Sequence, residues 1–390
     1  MSERIRVLEL RSACGAGGGP EKTILLGAER SDPRVAVTVC YIRDARDGSF
    51  SVGERARSHG VDYVEVVEQG SFDRRVWTSL RNIVASRGIH IVHAHDYKTD
   101  LLALLLSRAL PVAPLATAHG WTGHSRRERL VYYPLDKQLL RAFPVTIAVS
   151  SEIRSDLLRH GAAEDRVRVI PNGIDHRVFA REPGTEQRVR AELGIQPEDV
   201  VIGSIGRLEP QKRFDILIEA CARLRETWPR VRLFIAGDGS LRDDLAALAA
   251  RRLPGGACQL LGHRTDVVRL HHAFDAFVQA SDYEGTPNSV LEAMALETPI
   301  VATDAGGTSD ILRADVDGSI VPCGDAAVLA RAIERTLLEV KPTAARVKNA
   351  RERVETTLSF DRRMAAVERI YMELADRRGP LQRPVAEECA

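Results

Sequence analysis

At 390 residues the chain is too long for one ordinary hydrophobic core, so its length implies two domains. Its 55 Lys and Arg nearly cancel 54 Asp and Glu, which excludes the basic surplus of a general nucleic-acid binder and leaves only a local basic groove open. Cys14, Cys40, Cys221, Cys258, Cys323 and Cys389 are scattered without a CxxC pair, and read as reduced, mostly buried cytosolic thiols.

The first residues run into the strand-like Ile5–Leu10 with neither the apolar core nor the cleavage site of a signal peptide. Short apolar runs then alternate with helical stretches. The strand candidates are Val7–Leu10, Val35–Tyr41, Tyr63–Val66, Ile89–His93, Leu115–Thr117, Thr146–Val149 and Val167–Ile170, with amphipathic helices over Phe72–Ser86 and Glu152–Arg159. This alternation predicts a parallel sheet covered on both faces. The longest apolar stretch, Leu101–Ala118, is interrupted by Ser107, Arg108, Pro111 and Pro114, too broken for a membrane span. A cytoplasmic location follows as the expectation, with at most peripheral membrane contact.

Four features of this half carry chemistry. The glycine loop Gly15–Pro20 follows the first strand and opens the helix Glu21–Glu29, where backbone amides suit phosphate; an ordinary tight strand–helix turn has the same composition. His93-Ala94-His95 ends a strand with alternate residues on one face. A metal reading lacks further ligands at suitable spacing, so no metal is expected, and His95 with Asp96 is placed on the acceptor side of a cleft. His119, in Thr117-Ala118-His119-Gly120, ends another strand, where a histidine can exchange a proton with a hydroxyl or simply be structural. Trp121 and the segment Arg126–Arg141 mix basic, aromatic and apolar residues, as an ordinary cleft-facing helix or a membrane-docking one would.

Asn172-Gly173-Ile174-Asp175 reads as an interdomain turn with an Asx-type bend, and a linker is expected near residues 175–190. The pattern restarts after the polar Arg181–Glu186, with strand candidates Val200–Ile205, Arg232–Ala236, Gln259–Leu261, Ala276–Gln279, Ile300–Ala302 and Ser319–Val321. The expected domains are residues 1–180, joined by a returning helix and tail over 361–390, and residues 181–360. The final helix is Asp361–Arg377, and Val385–Ala390 reads as a frayed tail. Ligands of open parallel sheets sit beyond the carboxyl ends of the strands, so the cleft between two such domains is the expected site.

In the second half, Arg207 and Lys212 lie in Gly206-Arg207-Leu208-Glu209-Pro210-Gln211-Lys212-Arg213 between a strand and a helix. There two cations can neutralise a diphosphate, although a solvated basic turn is also common. His263 and Arg264, in the turn after Leu261, are placed where a backbone reads a base edge or merely ends a strand. Glu284 and Glu292 stand eight positions apart across a helix start at Asn288. The amides of Asn288, Ser289 and Val290 are expected to point back toward Glu284 as an anion pocket, with the carboxylates serving hydroxyls. A nucleotide sugar carries both kinds of group.

Glu-x7-Glu, Gly-Arg-Leu-Glu-Pro-x-Lys, Ile-Pro-Asn-Gly-Ile-Asp, Ala-His-Gly and Gly-Gly-x-Glu all occur in this one chain. Together they resemble the family 4 retaining glycosyltransferases of the GT-B fold over nearly the whole length. The resemblance implies two doubly wound Rossmann-like domains with an interdomain cleft and a last helix crossing back to the first domain. It implies that Glu284, with Gly285, holds the transferred sugar and Glu292 the ribose, and that Arg207 and Lys212 bind the diphosphate with amides of the Gly18-Gly19 loop, Ser289 and Val290. His119 would lie near the anomeric centre, and Glu21, His95, Asp96 and Trp121 on the acceptor side. No obligatory cofactor is implied; the substrates are a UDP- or GDP-sugar and a hydroxyl acceptor in polysaccharide or glycoconjugate synthesis. The chain departs from the pattern at Arg213, where glycine often follows the lysine, and at Thr286, where an aromatic is frequent. A nucleotide-sugar 2-epimerase needs no acceptor and fits Glu-x7-Glu less well. A non-catalytic nucleotide-sugar binder would not need Glu284, Arg207 and Lys212 together, and a nicotinamide dehydrogenase fits the glycine loop poorly.

Overall fold

A computed structural model of the chain describes residues 4–13, 15, 19–70, 73–121 and 128–377. Gly18 of the glycine loop, Cys14, Cys389 and the tail from Val385 lie outside the described residues. Among those described, the residues up to Ile170 and those from Arg363 form one compact unit, and Pro171–Arg362 form the other.

Every apolar run expected to be a strand is one, with ends shifted by no more than a few residues. In the first unit these are β1 (Ile5–Ser12), β2 (Val35–Asp44), β3 (Asp62–Glu68), β4 (Ile91–Ala94), β5 (Ala113–Ala118), β6 (Thr146–Ala148) and β7 (Val167–Val169). They form a seven-stranded sheet in the order β3-β2-β1-β4-β5-β6-β7, all parallel. Successive side chains of a strand point to opposite faces, and both faces are apolar. Leu8, Leu10, Val92, Ala94, Ala116 and Ala118 share one core, to which the helices Arg74–Ser86, Tyr97–Ala109 and Ser151–Arg159 contribute. Val7, Ile91, Leu115 and Ile147 share the other with Val367, Ile370, Tyr371 and Leu374 of the last helix, Phe360–Asp376. The returning helix therefore closes an apolar sheet face of the first unit.

The second unit has β8 (Val200–Ile205), β9 (Val231–Ala236), β10 (Cys258–Gly262), β11 (Ala276–Gln279), β12 (Ile300–Thr303) and β13 (Ser319–Val321), in the parallel order β10-β9-β8-β11-β12-β13. In each sheet the winding direction reverses once, between β1 and β4 and between β8 and β11. Loops leave those strands in opposite directions, so a crevice opens at their carboxyl ends. The segment read as a linker carries the helix Thr185–Glu192 in its second half, with Val189 packed against Ile195, Val201 and Phe234. With Val189 the one large apolar side chain among its eight residues, this helix carries no amphipathic signal. No helix among the described residues is long and apolar enough to cross a membrane. Burial pushes the Cys40 thiol up to about 12, as inert packing thiols require.

Burying an aliphatic side chain on the returning helix contributes on the order of 1.5–3 kcal/mol, and deleting it also leaves a cavity. Ile370→Ala is expected to destabilise the first unit by about 2–5 kcal/mol, read as a lower midpoint in urea with the m-value unchanged. A loss under about 0.5 kcal/mol would mean that the helix does not carry that sheet face.

Candidate functional site

At the carboxyl end of β8 the chain turns through Gly206-Arg207-Leu208 and a short 3₁₀ turn, Pro210–Lys212. Leu208 is buried and anchors the turn, while Arg207 is exposed and makes no side-chain hydrogen bond or ion pair among the described residues. The loop lies against Gly237-Asp238-Gly239 after β9: Leu208 N donates to Asp238 O (2.9 Å) and Gly206 N to Ala236 O (3.0 Å). A Cβ at Gly237 (φ +150°) would fall 1.8 Å from Gly206 O, so only glycine lets the two loops meet. Sequence reasoning passed over these glycines because Gly-Asp-Gly after a strand is an ordinary turn signal.

Arg213 has φ +48° and ψ +42°, the left-handed conformation that glycine adopts without cost. Its guanidinium is held by Asp215 (3.1 Å) and Asp282 (2.7 Å), the latter in the loop after β11. The departure from a glycine thus replaces backbone freedom with two ion pairs. The same two loops are joined by Asp282 N donating to Gln211 O at 2.9 Å.

That juxtaposition brings Lys212 to Glu284. Lys212 Nζ donates to Glu284 Oε1 at 2.5 Å, Ser281 Oγ donates to the same oxygen at 2.6 Å, and Gln279 Nε2 lies 3.4 Å away. Gly307 N donates to the Glu284 carbonyl at 3.1 Å, fixing the backbone as well. Oε2 makes no hydrogen bond among the described residues. One carboxylate oxygen is therefore saturated and the other remains an acceptor, while Lys212 keeps two further donors.

The helix Asn288–Ala295 starts where Pro287 predicts it. Of the three amides expected to be open, that of Val290 donates to Pro287 O (3.1 Å) and its side chain is buried, so it is removed from the open set. A tightened first turn is the reason. Asn288 and Ser289, both half-buried, show no such backbone bond among the described residues. Gly285 is half-buried and Glu292 buried one turn further on. Asn172 ties this start down, its backbone N donating to Thr286 Oγ1 (3.2 Å) and its Nδ2 to Asn288 Oδ1 (3.0 Å). Thr286 thus contributes a hydroxyl where an aromatic is frequent. Across the sheet, His263 is exposed, and Arg264 is clamped by both oxygens of Asp266 at 2.7 Å.

In the first unit the expected residues gather at the ends of β1, β4 and β5. His119 Nε2 lies 3.1 Å from His95 Nδ1, and His95 Nε2 meets Glu9 Oε2 in a short hydrogen bond. The other Glu9 oxygen accepts from Tyr371 OH (2.6 Å) and lies 3.1 Å from His93 Nδ1, while His93 Nε2 lies 2.7 Å from Thr117 Oγ1. Burial alone would raise Glu9, but His93 and His95 hold it well below the usual carboxylate range. Burial and the His93 charge lower His95 to about 4, and burial with Arg11 holds His119 well below the ordinary histidine value. Glu9 was missed because its strand is paired in space, not in sequence, with His93. It supplies the third donor that spacing lacked: donor atoms of Glu9, His93 and His95 lie within 4.8 Å of one another. Hydrogen bonds among the three already account for that proximity.

The remaining first-unit residues have structural partners. Glu21 is buried against Arg11 Nε (2.6 Å), and Arg11 also donates to His95 O (3.1 Å). Asp96 caps the helix Tyr97–Ala109 through the amides of Lys98 and Thr99 and accepts from Ser12 N (2.7 Å). Trp121 Nε1 donates to Asp136 Oδ2 (2.9 Å), with Lys137 Nζ 4.6 Å over its ring. Gly19 begins the helix Gly19–Glu29. Asp136 also interacts electrostatically with the buried Asp100. Burial, then the Asp136 and Asp96 charges, pushes Asp100 well above the carboxylate range, and burial raises Asp136.

Residues 17–178 match the family Glycosyltransferase Family 4, and residues 185–353 match Glycosyl transferases group 1. EpsD of Bacillus subtilis (strain 168), provisionally named a glycosyltransferase, is 31% identical over 314 residues, covering 77% of this chain and 81% of EpsD. The Escherichia coli UDP-Gal:alpha-D-GlcNAc-diphosphoundecaprenol alpha-1,3-galactosyltransferase is 26% identical over 316 residues, covering 77% and 80%. Among solved structures, Anabaena Alr3699/HepE in complex with UDP-glucose superposes with a TM-score of 0.83 at 21% identity, over 95% of this chain and 100% of that one. The two parallel-sheet units are those of the GT-B fold.

Two outcomes follow from the geometry. Gly237→Ala is expected to displace the Arg207 loop and destabilise the second unit by about 1–3 kcal/mol, read by denaturant unfolding; an unchanged midpoint would mean that the loops do not meet. An acid whose folded pKa is raised adds stability below its unfolded value and loses it as pH rises toward the folded one. Asp100→Asn should therefore raise Tm at pH 8 by about 2–4 °C, the equivalent of roughly 1 kcal/mol, with the gain vanishing near pH 4. A gain independent of pH would contradict a raised pKa at Asp100.

Proposed function

The chain belongs to the glycosyltransferases, matching both group 1 and family 4, and on that premise we propose that it is a retaining transferase. It moves a sugar from a UDP- or GDP-linked donor to a hydroxyl of a glycan, lipid-linked or small-molecule acceptor, in polysaccharide or glycoconjugate synthesis. The observation that carries this reading is the Lys212–Glu284–Ser281 cluster at the β8/β11 switch point, beside the helix start at Asn288. It offers cations and amides for a diphosphate and an acceptor oxygen for sugar hydroxyls. The Escherichia coli relative, named for a UDP-Gal donor and a diphosphoundecaprenol-linked acceptor, supports the donor and acceptor classes.

Cleaving the anomeric C–O bond builds positive charge on the sugar and negative charge on the departing diphosphate. Arg207, Lys212 and the amides of Asn288 and Ser289 stabilise that negative charge from fixed positions. Glu284 Oε2 accepts from the hydroxyls of the sugar that moves, and Glu292 from the ribose that stays. His263 and Arg264 flank the base. Retention follows the family: the acceptor hydroxyl attacks from the face the phosphate leaves, and that phosphate takes its proton. His119 contacts the sugar near the reacting carbon, with Trp121 on the acceptor side and Glu21, His95 and Asp96 shaping it.

Peripheral contact with a lipid surface fits one further observation. Tyr97, Leu101 and Leu105 recur on one exposed face of their helix, and Leu130, Val131 and Leu135 are 75%, 52% and 51% exposed. Tyr97 and Tyr132 stack with ring centres 5.1 Å apart, and Arg108 and Arg141 are exposed in the same two helical segments.

A thermal-shift and donor-hydrolysis screen over UDP-, GDP- and ADP-sugars tests the activity. A UDP- or GDP-sugar is expected to stabilise the protein and be cleaved; if none does either, the transferase reading fails. Glu284→Ala and Arg207→Ala are each expected to lower transfer by about 100-fold or more. Only Arg207→Ala should greatly weaken binding of the bare nucleotide diphosphate. Equal loss in both would contradict the division between sugar-holding and phosphate-holding residues.

A further inference from the structure

The proton positions along Glu9, His95 and His119 follow from their partners. A carboxylate only accepts, so the short bond to Glu9 Oε2 requires the proton of His95 to sit on Nε2. Burial keeps the His95 ring neutral, with its pKa lowered to about 4, so its Nδ1 is a lone pair. His119 Nε2, 3.1 Å from that lone pair, must then carry a hydrogen. Burial and the Arg11 guanidinium hold His119 neutral too, so its Nδ1 is bare. The other Glu9 oxygen is engaged separately. Tyr371 OH donates to Glu9 Oε1 (2.6 Å), and His93 Nδ1 lies 2.8 Å from that hydroxyl. His93 Nε2 lies 2.7 Å from Thr117 Oγ1. Both oxygens of Glu9 and both ring nitrogens of His95 are thereby assigned.

We propose that Glu9, acting through His95, is a positioning residue that fixes His119 as its Nε2–H tautomer, so that the bare Nδ1 accepts a hydroxyl proton from the sugar substrate and turns away phosphate oxygens. A lone pair facing a phosphate oxygen is repelled, whereas a sugar hydroxyl can donate to it. The assignment of His119 to sugar rather than diphosphate thus comes from a carboxylate two hydrogen bonds away. The ligand half of this proposal rests on the transferase reading; the tautomer half does not.

Long-range ¹H–¹⁵N spectra of the full chain labelled with ¹⁵N-histidine report tautomers directly, with His119 assigned by its loss in His119→Gln. At pH 7.5 the wild type should show His119 protonated at Nε2 and bare at Nδ1. His95→Phe should convert it to a mixture of tautomers, and Tyr371→Phe should leave it unchanged. In turnover of whichever nucleotide sugar the protein cleaves, His95→Phe should lower kcat about 10-fold or more with donor KM within about twofold. A wild-type His119 protonated at Nδ1 overturns the proposal, and that spectrum decides even if His95→Phe fails to fold. An unchanged tautomer in a folded His95→Phe also overturns it. Added Zn²⁺ that shifts the ring nitrogens of both His93 and His95 would replace the relay by a metal centre. If the tautomer is as assigned but kcat is unaffected, the ligand half falls; if no nucleotide sugar is turned over, the transferase reading falls and the tautomer assignment stands.

Discussion

A carboxylate removed from water must be met by donors, and each unit holds one that sets how its neighbouring segments meet. In the second, Glu284 sits after β11 with Lys212 and Ser281 on one oxygen. Satisfying that oxygen requires the loop after β8 to reach across the switch point, which places Arg207 and the start of the Asn288 helix on the same crevice. In the first, Glu9 lies inside β1 and needs His93 and His95 from the adjacent strand and Tyr371 from the returning helix. Leaving such a buried group unmatched would cost on the order of 1–3 kcal/mol or more. The polar residues that read as catalytic are thus also the ones that settle how loops meet.

The irregular backbone is concentrated at the same places. Arg213 holds a conformation that costs an ordinary residue about 1–2 kcal/mol, offset by its pairs with Asp215 and Asp282. Gly237 exists as glycine because the Gly206 carbonyl occupies the space a side chain would need. Strain of this kind persists only where surrounding contacts over-determine it, and here they lock the turn that presents Lys212.

The strands were legible because parallel strands buried on both faces read as continuous apolar runs, and Val200–Ile205 or Ala276–Gln279 can be little else. The family was legible because Arg207, Lys212, Glu284 and Glu292 lie in contiguous motifs. What stayed hidden depends on proximity between distant segments. Glu9 in a strand looks like any half-exposed glutamate until β1 is paired with β4. The partners of Asp96 and Glu21 are hidden in the same way: their carboxylates are engaged by backbone amides and by Arg11 respectively. The Val290 amide was counted as open because a tightened first turn leaves no trace in residue type. Asn172, read as a bend, proves to brace the helix start through Thr286 and Asn288.

The central claim is that the β8/β11 switch point of the second unit, with Lys212 and Glu284 at its centre, is where a nucleotide sugar binds. Amide hydrogen exchange with and without saturating UDP- or GDP-sugar tests this most directly, because it reports position independently of turnover. Protection confined to the amides of Gly206–Arg213 and Glu284–Ser289 is the predicted result. Protection that spares both segments while the ligand demonstrably binds would contradict the account.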